Sequence, residues 1–169
     1  GVGDGPDYID EFPENPEALA QYDVVILGDV GINSDQLTKK QAEMIVGLVE
    51  NQASGVVFLP GSQGNQYSLL DSKLADLMPV VLDKENQQGI TGQIASPLDL
   101  TSEGRGSLLT LLTDSEEQNT QVWRSLPGFY WHAAARRAKG GTSVLAVHPN
   151  RRTDYGSTPI IVTSTAGNG

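Results

Sequence analysis

The chain contains no cysteine and only two histidines among its 169 residues. The first absence excludes disulfides, thiolate metal sites and thioester chemistry, while leaving the redox compartment open, because a domain of this size is stable without cross-links. The second leaves too few ligands for a zinc site of the usual set, and neither a metal nor a cofactor is expected. Long hydrophobic runs are missing as well. Nothing approaches the roughly 18 apolar residues of a membrane-spanning helix, and the start has no signal-peptide pattern. Bases are scarce where acids are dense: the first 35 residues hold nine acids and no lysine or arginine. Residues 1–100 balance at −12 and residues 101–169 at +2. Such a surface repels phosphates, so nucleic acid is not an expected partner and neutral or basic proteins are. A complete G-x-G-x-x-G run and a Walker lysine are both absent, so the Gly61-x-x-Gly64 fragment by itself does not make a nucleotide site.

What is present is sufficient for one substantial core, with 38% hydrophobic residues. Residues 1–20 form an acidic, proline-rich lead-in, and 20–169 a single domain. In the lead-in, Asp4, Asp7 and Asp10 lack the alternate spacing of an EF-hand loop, so no calcium site is expected. Asn15 and Pro16 are placed to cap and begin a short helix. Tyr22-Asp-Val-Val-Ile-Leu-Gly-Asp29 is a β-branched run of the kind whose two faces are both covered. Thr38 and Gln41 have the spacing of a capping box opening a helix over 38–51, in which Ala42, Ile45, Val46 and Val49 form one apolar stripe. Gly55-Val-Val-Phe-Leu-Pro-Gly61 is a second strand. The strand, helix, strand order predicts parallel pairing with a right-handed crossover. Active groups of such sheets lie past the carboxyl ends of the strands, here Gly28–Gly31 and Pro60–Gln66.

YDVVILGD, QAEMIVGLVEN and GVVFLPGSQGNQYSLLDSKLADLMPVVL together resemble the class I glutamine amidotransferase-like superfamily, in particular its trehalose-utilisation-like branch. The later segments LDLTSEGRGSLLTLL, VWRSLPGFY, TSVLAVHP and PIIVTSTAGNG resemble domains of that type in large bacterial membrane-anchored proteins, often beside von Willebrand factor A-like modules. The resemblance covers about residues 20–169 and implies a three-layer, flavodoxin-like, open and mostly parallel sheet with helices on both faces. It implies a segment of a longer protein, since relatives run on beyond Ala166-Gly-Asn-Gly169. Its other domains or further proteins would be its partners, and the setting would lie outside the cytoplasm.

What the resemblance implies for chemistry is chiefly a loss. True amidotransferases carry a cysteine on a sharp turn after the second strand. If Gly61 and Gln63 match the family glycine and glutamine, Leu59 stands at the thiolate position. Ser62 could substitute only with a base beside it, and a turn serine is the simpler reading. His148, in Val-Leu-Ala-Val-His148-Pro149-Asn150, matches the family histidine in chain order, but Asn150 stands where the orienting acid belongs and cannot stabilise an imidazolium. On this reading His148 and Pro149 end a strand, and Asp29, Gly61, Ser62, Gln63 and His148 mark a vestigial pocket without catalysis. The expected function is a non-catalytic interaction or structural module of a cell-envelope protein. Two alternatives stand beside it: a hydrolase or carbohydrate-processing enzyme using Ser62 and His148, and a small-ligand binding domain.

In the remainder, Gln88–Ala95 and Pro97–Leu100 are predicted as short extended pieces. Leu108, Leu111 and Leu112 predict a helical turn or two. Ser115, Glu116 and Glu117 open a helix reaching Trp123. Thr142–Val147 and Pro159–Thr163 supply the last strands. His132 sits in an aromatic loop, Gly-Phe-Tyr-Trp-His132, held by packing and a hydrogen bond. Arg136, Arg137 and Lys139 with Arg151 and Arg152 could share one surface, though a solvated loop or a counter to the acidic half is the simpler reading.

Overall fold

A computed structural model describes residues 11–33, 35–167 and 169; the lead-in aspartates Asp4, Asp7 and Asp10 lie outside the described residues. Helix α1, Pro16–Leu19, starts where expected: Asn15 Oδ1 accepts the Ala18 N–H at 2.8 Å and Pro16 occupies the first turn. Strand β1, Val24–Leu27, pairs in parallel with β2, Gly55–Phe58, and helix α2, Lys39–Gln52, makes the crossover. Both halves of the capping box form. The Gln41 N–H donates to Thr38 Oγ1 at 3.2 Å, and Gln41 Oε1 accepts the Thr38 N–H at 2.9 Å. The stripe Ala42, Ile45, Val46 and Val49 is buried, together with Met44 and Leu48. With Leu19, Val25, Leu27, Leu69, Leu74, Leu77 and Leu82 it makes the main core.

The flavodoxin-like open parallel sheet does not form. After β2 comes a 3-10 segment, Asn65–Asp71, and a one-turn helix α3, Leu74–Leu77. Then follow β3, Val80–Leu82, β4, Ile90–Ser96, and β5, Asp99–Leu100. Helix α4, Ser102–Gly106, a 3-10 turn, Leu108–Thr110, and helix α5, Glu116–Ser125, precede β6, Phe129–His132, β7, Ala135–Ala138, β8, Ser143–Thr153, and β9, Gly156–Thr163. These later strands form small antiparallel sheets, β3 with β7, β4 with β6, and β5–β8–β9. The protein is thus α/β, with a single parallel pair among its described strands. Chain connectivity explains the difference: parallel strands need a crossover of about a dozen residues or more, whereas Asp154 and Tyr155 alone join β8 to β9, and so short a link permits only an antiparallel hairpin.

Three further expectations fail locally. His148 and Pro149 do not end a strand, because β8 continues to Thr153. Proline is tolerated there because β5 pairs only with Val147 and Ala146, and the β8–β9 register shifts between Val147 and Arg152. His132 closes strand β6 rather than lying in a loop. The cover over β1 is also one-sided: Val25 and Leu27 are buried while Val24 and Ile26 face outward. No described helix is long and apolar enough to cross a membrane.

Candidate functional site

The loops past β1 and β2 meet, and Asp29 joins them. Its Oδ2 accepts the Gln63 N–H at 2.8 Å, and its Oδ1 accepts the Asn65 N–H at 2.8 Å. The Asn65 side-chain amide returns a bond to Asp29 O at 3.0 Å. Gln66, buried, donates through Nε2 to Leu27 O at 2.9 Å and also to Gly28 O. The carbonyls at the end of β1 are thereby satisfied by side chains of the loop after β2. Gly61 permits this closeness, since a Cβ there would lie 2.7 Å from Asp29 Oδ2. Backbone N–H groups following a strand are the usual cradle for an anion or an oxyanion. Here the protein's own carboxylate occupies two of them.

Ser62 lies on this loop, exposed, and its hydroxyl has no hydrogen-bond partner among the described residues. No nucleophile elbow follows Leu59. The Leu59 N–H continues the parallel pairing to Leu27 O at 2.8 Å, and among described non-glycine residues positive φ occurs at Ala53 alone. Asp29, Gly61, Ser62 and Gln63 are therefore brought together.

His148 makes its contacts elsewhere. Its ring centroid lies 5.2 Å from that of His132 and 5.5 Å from that of Phe129. The neighbouring hydrogen bonds fix both neutral tautomers. His148 Nδ1 accepts the Asn150 N–H at 3.2 Å, so its proton sits on Nε2. A triad base needs the reverse, a proton on Nδ1 and a lone pair on Nε2. His132 Nδ1 lies 2.9 Å from Ala133 O and carries the proton, leaving its Nε2 bare, buried and unpartnered. Burial pushes both imidazoles below their usual pKa, and the nearby Arg151 adds to the effect on each. The pairing of His132 with His148 was invisible in the sequence, because it depends on β6, paired with the distant β4, lying against the β8–β9 hairpin.

His132, rather than His148, borders a cavity of about 380 Å³ with Pro60, Gln66, Phe58, Met78 and Trp131. The walls are mainly apolar, and Trp131 Nε1 is spent on Gln88 O at 2.7 Å. A second, polar cavity of about 540 Å³ is lined by Asp83, Glu85, Arg136, Arg151, Arg152 and Thr158 among others. Arg136, Arg151 and Arg152 do share one surface. Arg137 instead lies over the Tyr155 ring, 5.6 Å from its centroid.

No protein-family model matches the chain, and no curated protein matches it. Among solved structures it is similar to cytoplasmic protein STM3548 from Salmonella typhimurium, with a TM-score of 0.69 at 17% identity. The match covers 95% of this chain and 62% of that one, so the chain spans less than two thirds of that protein's length. At such an identity the likeness is one of fold alone.

Proposed function

We propose that the chain is a non-catalytic interaction module of a larger protein, and that another segment of that protein covers the outer face of the β1–β2 pair. The observation that carries this reading is the apolar outer face itself. Val24 is 50% exposed, Ile26 63%, Val57 40% and Leu59 55%, and Ile26 stands beside Val57 in register. Strands of a parallel pair are ordinarily covered on both faces. The face continues into a groove of about 470 Å³ shared with Leu109, Ile161 and Val162. Covering these half-exposed side chains would contribute about 1 kcal/mol apiece. The structural relative extends well beyond the part this chain matches, which leaves room for such a covering segment.

The non-catalytic half of the proposal draws on the site chemistry. Asp29 fills the donors that an oxyanion would need, Ser62 has no base, and His148 holds its proton on the wrong nitrogen for a triad.

Because the chain has no cysteine, a single introduced thiol reports on one position cleanly. An Ile26→Cys variant should react with a maleimide at the rate of a free thiol in the isolated chain, and at least tenfold more slowly in the longer protein. A Glu117→Cys control, on exposed α5, should label equally in both. Equal labelling of Ile26→Cys in the two settings refutes the covered face.

A further inference from the structure

We propose that the cavity between β7, the β8–β9 hairpin and the turn after β3 binds a small polar ligand bearing an oxyanion group, held by Arg136, Arg151 and Arg152. At about 540 Å³ it falls within the range of small-molecule sites, about 300–1,000 Å³. Its lining converges from five separate stretches: Asp83 and Glu85, Ile90, Ala134 to Arg136, Asn150 to Asp154, and Thr158.

None of the three guanidinium groups has an ion pair or a side-chain hydrogen bond among the described residues, where the recorded salt bridge is Arg105–Glu116 at 3.5 Å. This holds although carboxylates line the same cavity. Asp83 is already engaged: its Oδ1 accepts the Glu85 N–H at 3.0 Å and its Oδ2 the Asn86 amide at 2.8 Å. Thr153 Oγ1 donates to Arg136 O at 2.7 Å, tying β7 to β8 and fixing the spacing between the arginine-bearing strands. Planar, permanently charged guanidinium forks suit carboxylate or phosphate oxygens, which they can grip by two parallel bonds.

A second observation points the same way. Thr158 lines the cavity, and its hydroxyl has no hydrogen-bond partner among the described residues while remaining open to solvent. A ligand oxygen in this cavity could take the place of the water that reaches this hydroxyl. The ligand is not a naked polyanion, since Asp83, Glu85 and Asp154 also face the space. A compact molecule with one phosphate or carboxylate group and neighbouring hydroxyl or ammonium groups fits both signs of charge.

The test is an amide NMR titration of the isolated chain with inorganic phosphate and, separately, with lactate, ionic strength being held constant with sodium chloride. Saturable shifts at residues 83–86, 134–136 and 150–158 are expected in at least one titration, and the stronger response identifies phosphate or carboxylate chemistry. Arg151→Gln should weaken binding about tenfold, the loss of roughly one charge-assisted bond. Arg152→Gln, at an exposed position, serves if the first variant misfolds, and Arg124→Gln on α5 should change nothing. An anion on Arg151 should also raise the titration midpoints of His132 and His148, which Arg151 otherwise holds down. Linear, unsaturable shifts with both anions overturn the proposal. So does equal binding by Arg151→Gln or Arg152→Gln.

Discussion

Replacing Asp29 by asparagine separates a structural latch from a catalytic carboxylate. The carboxylate accepts two backbone N–H groups at 2.8 Å each, from Gln63 and Asn65, 34 and 36 residues away in the chain. Asparagine retains one acceptor oxygen and turns an NH₂ group toward the other donor. One charge-assisted bond, worth about 1.5–3 kcal/mol, is then lost, and a donor faces a donor. Gln63 is exposed, so water can reach its freed N–H and hold the cost near the middle of that range, about 2 kcal/mol. For a domain of this size that lowers Tm by about 4–8 °C. Asp29→Ala, which loses both bonds, should cost about 3–4 kcal/mol. Thermal and urea denaturation followed by circular dichroism measures both. An Asp29→Asn protein as stable as the parent, or more so, would refute the latch. A carboxylate retained at a cost in stability belongs to a working site.

Two other perturbations probe separate regions. The lowered pKa values of His132 and His148 give stability a pH dependence of definite sign. Below about 6.5 the unfolded chain binds protons that the buried rings refuse, so stability is complete above that pH. It falls as pH drops toward the folded-state values and levels off beneath them. Urea midpoints at several pH values should follow this course, and His132→Phe, which keeps a ring in the pocket, should flatten it; an unchanged slope in that variant would assign the titration to other groups. In the second half, Asn119 is fully buried, accepting the Leu112 N–H at 2.8 Å and donating to Thr110 O at 3.0 Å. Asn119→Leu should cost about 2–4 kcal/mol by stranding the Leu112 N–H, and a loss below about 1 kcal/mol in urea denaturation would contradict that network.

The first half of the fold was legible because its signals are local. Thr38 with Gln41, Asn15 with Pro16, and the Ala42–Val49 stripe each require only a few neighbouring residues, and each forms as read. Ser115 likewise caps α5 through the Gln118 N–H at 3.2 Å. The second half depends on pairings across long separations, such as Val80 with Ala138 and Ile90 with His132. Short strands of this kind carry little periodicity. The segment Phe129–Ala138 contains two of them, separated by Ala133 and Ala134 and by no turn residue, so neither announced itself. Extending the parallel pattern of β1 and β2 over the whole domain assumed a crossover helix between each pair of strands, whereas β3–β4, β4–β5, β6–β7, β7–β8 and β8–β9 are joined by short links without a helix. The one cue to the hairpin was Asp154-Tyr155-Gly156, where Gly156 has φ 122°, a conformation that favours glycine.

The candidate site poses a different problem of legibility. A small-residue loop after a buried strand has the same sequence whether its N–H groups wait for a substrate oxygen or already hold an oxygen of the protein. What decides is the partner, and Asp29 lies on another strand end, more than 30 residues from Gln63. The sequence placed Asp29 among the site residues without revealing that it closes the site. The arginines show the converse. Arg136, Arg151 and Arg152 read as surface charge, yet the hairpin and the Thr153 to Arg136 bond bring them to one cavity, where Asp83 feels the Arg136 charge without forming an ion pair with it. A carboxylate that finds its donors inside the fold has no need of a ligand, whereas three guanidinium groups without hydrogen-bond acceptors among the described residues, beside the open Thr158 hydroxyl, can take one. Ligand chemistry in this protein therefore belongs at the β7–β8 cavity, on the side of the molecule where the sequence offered no motif.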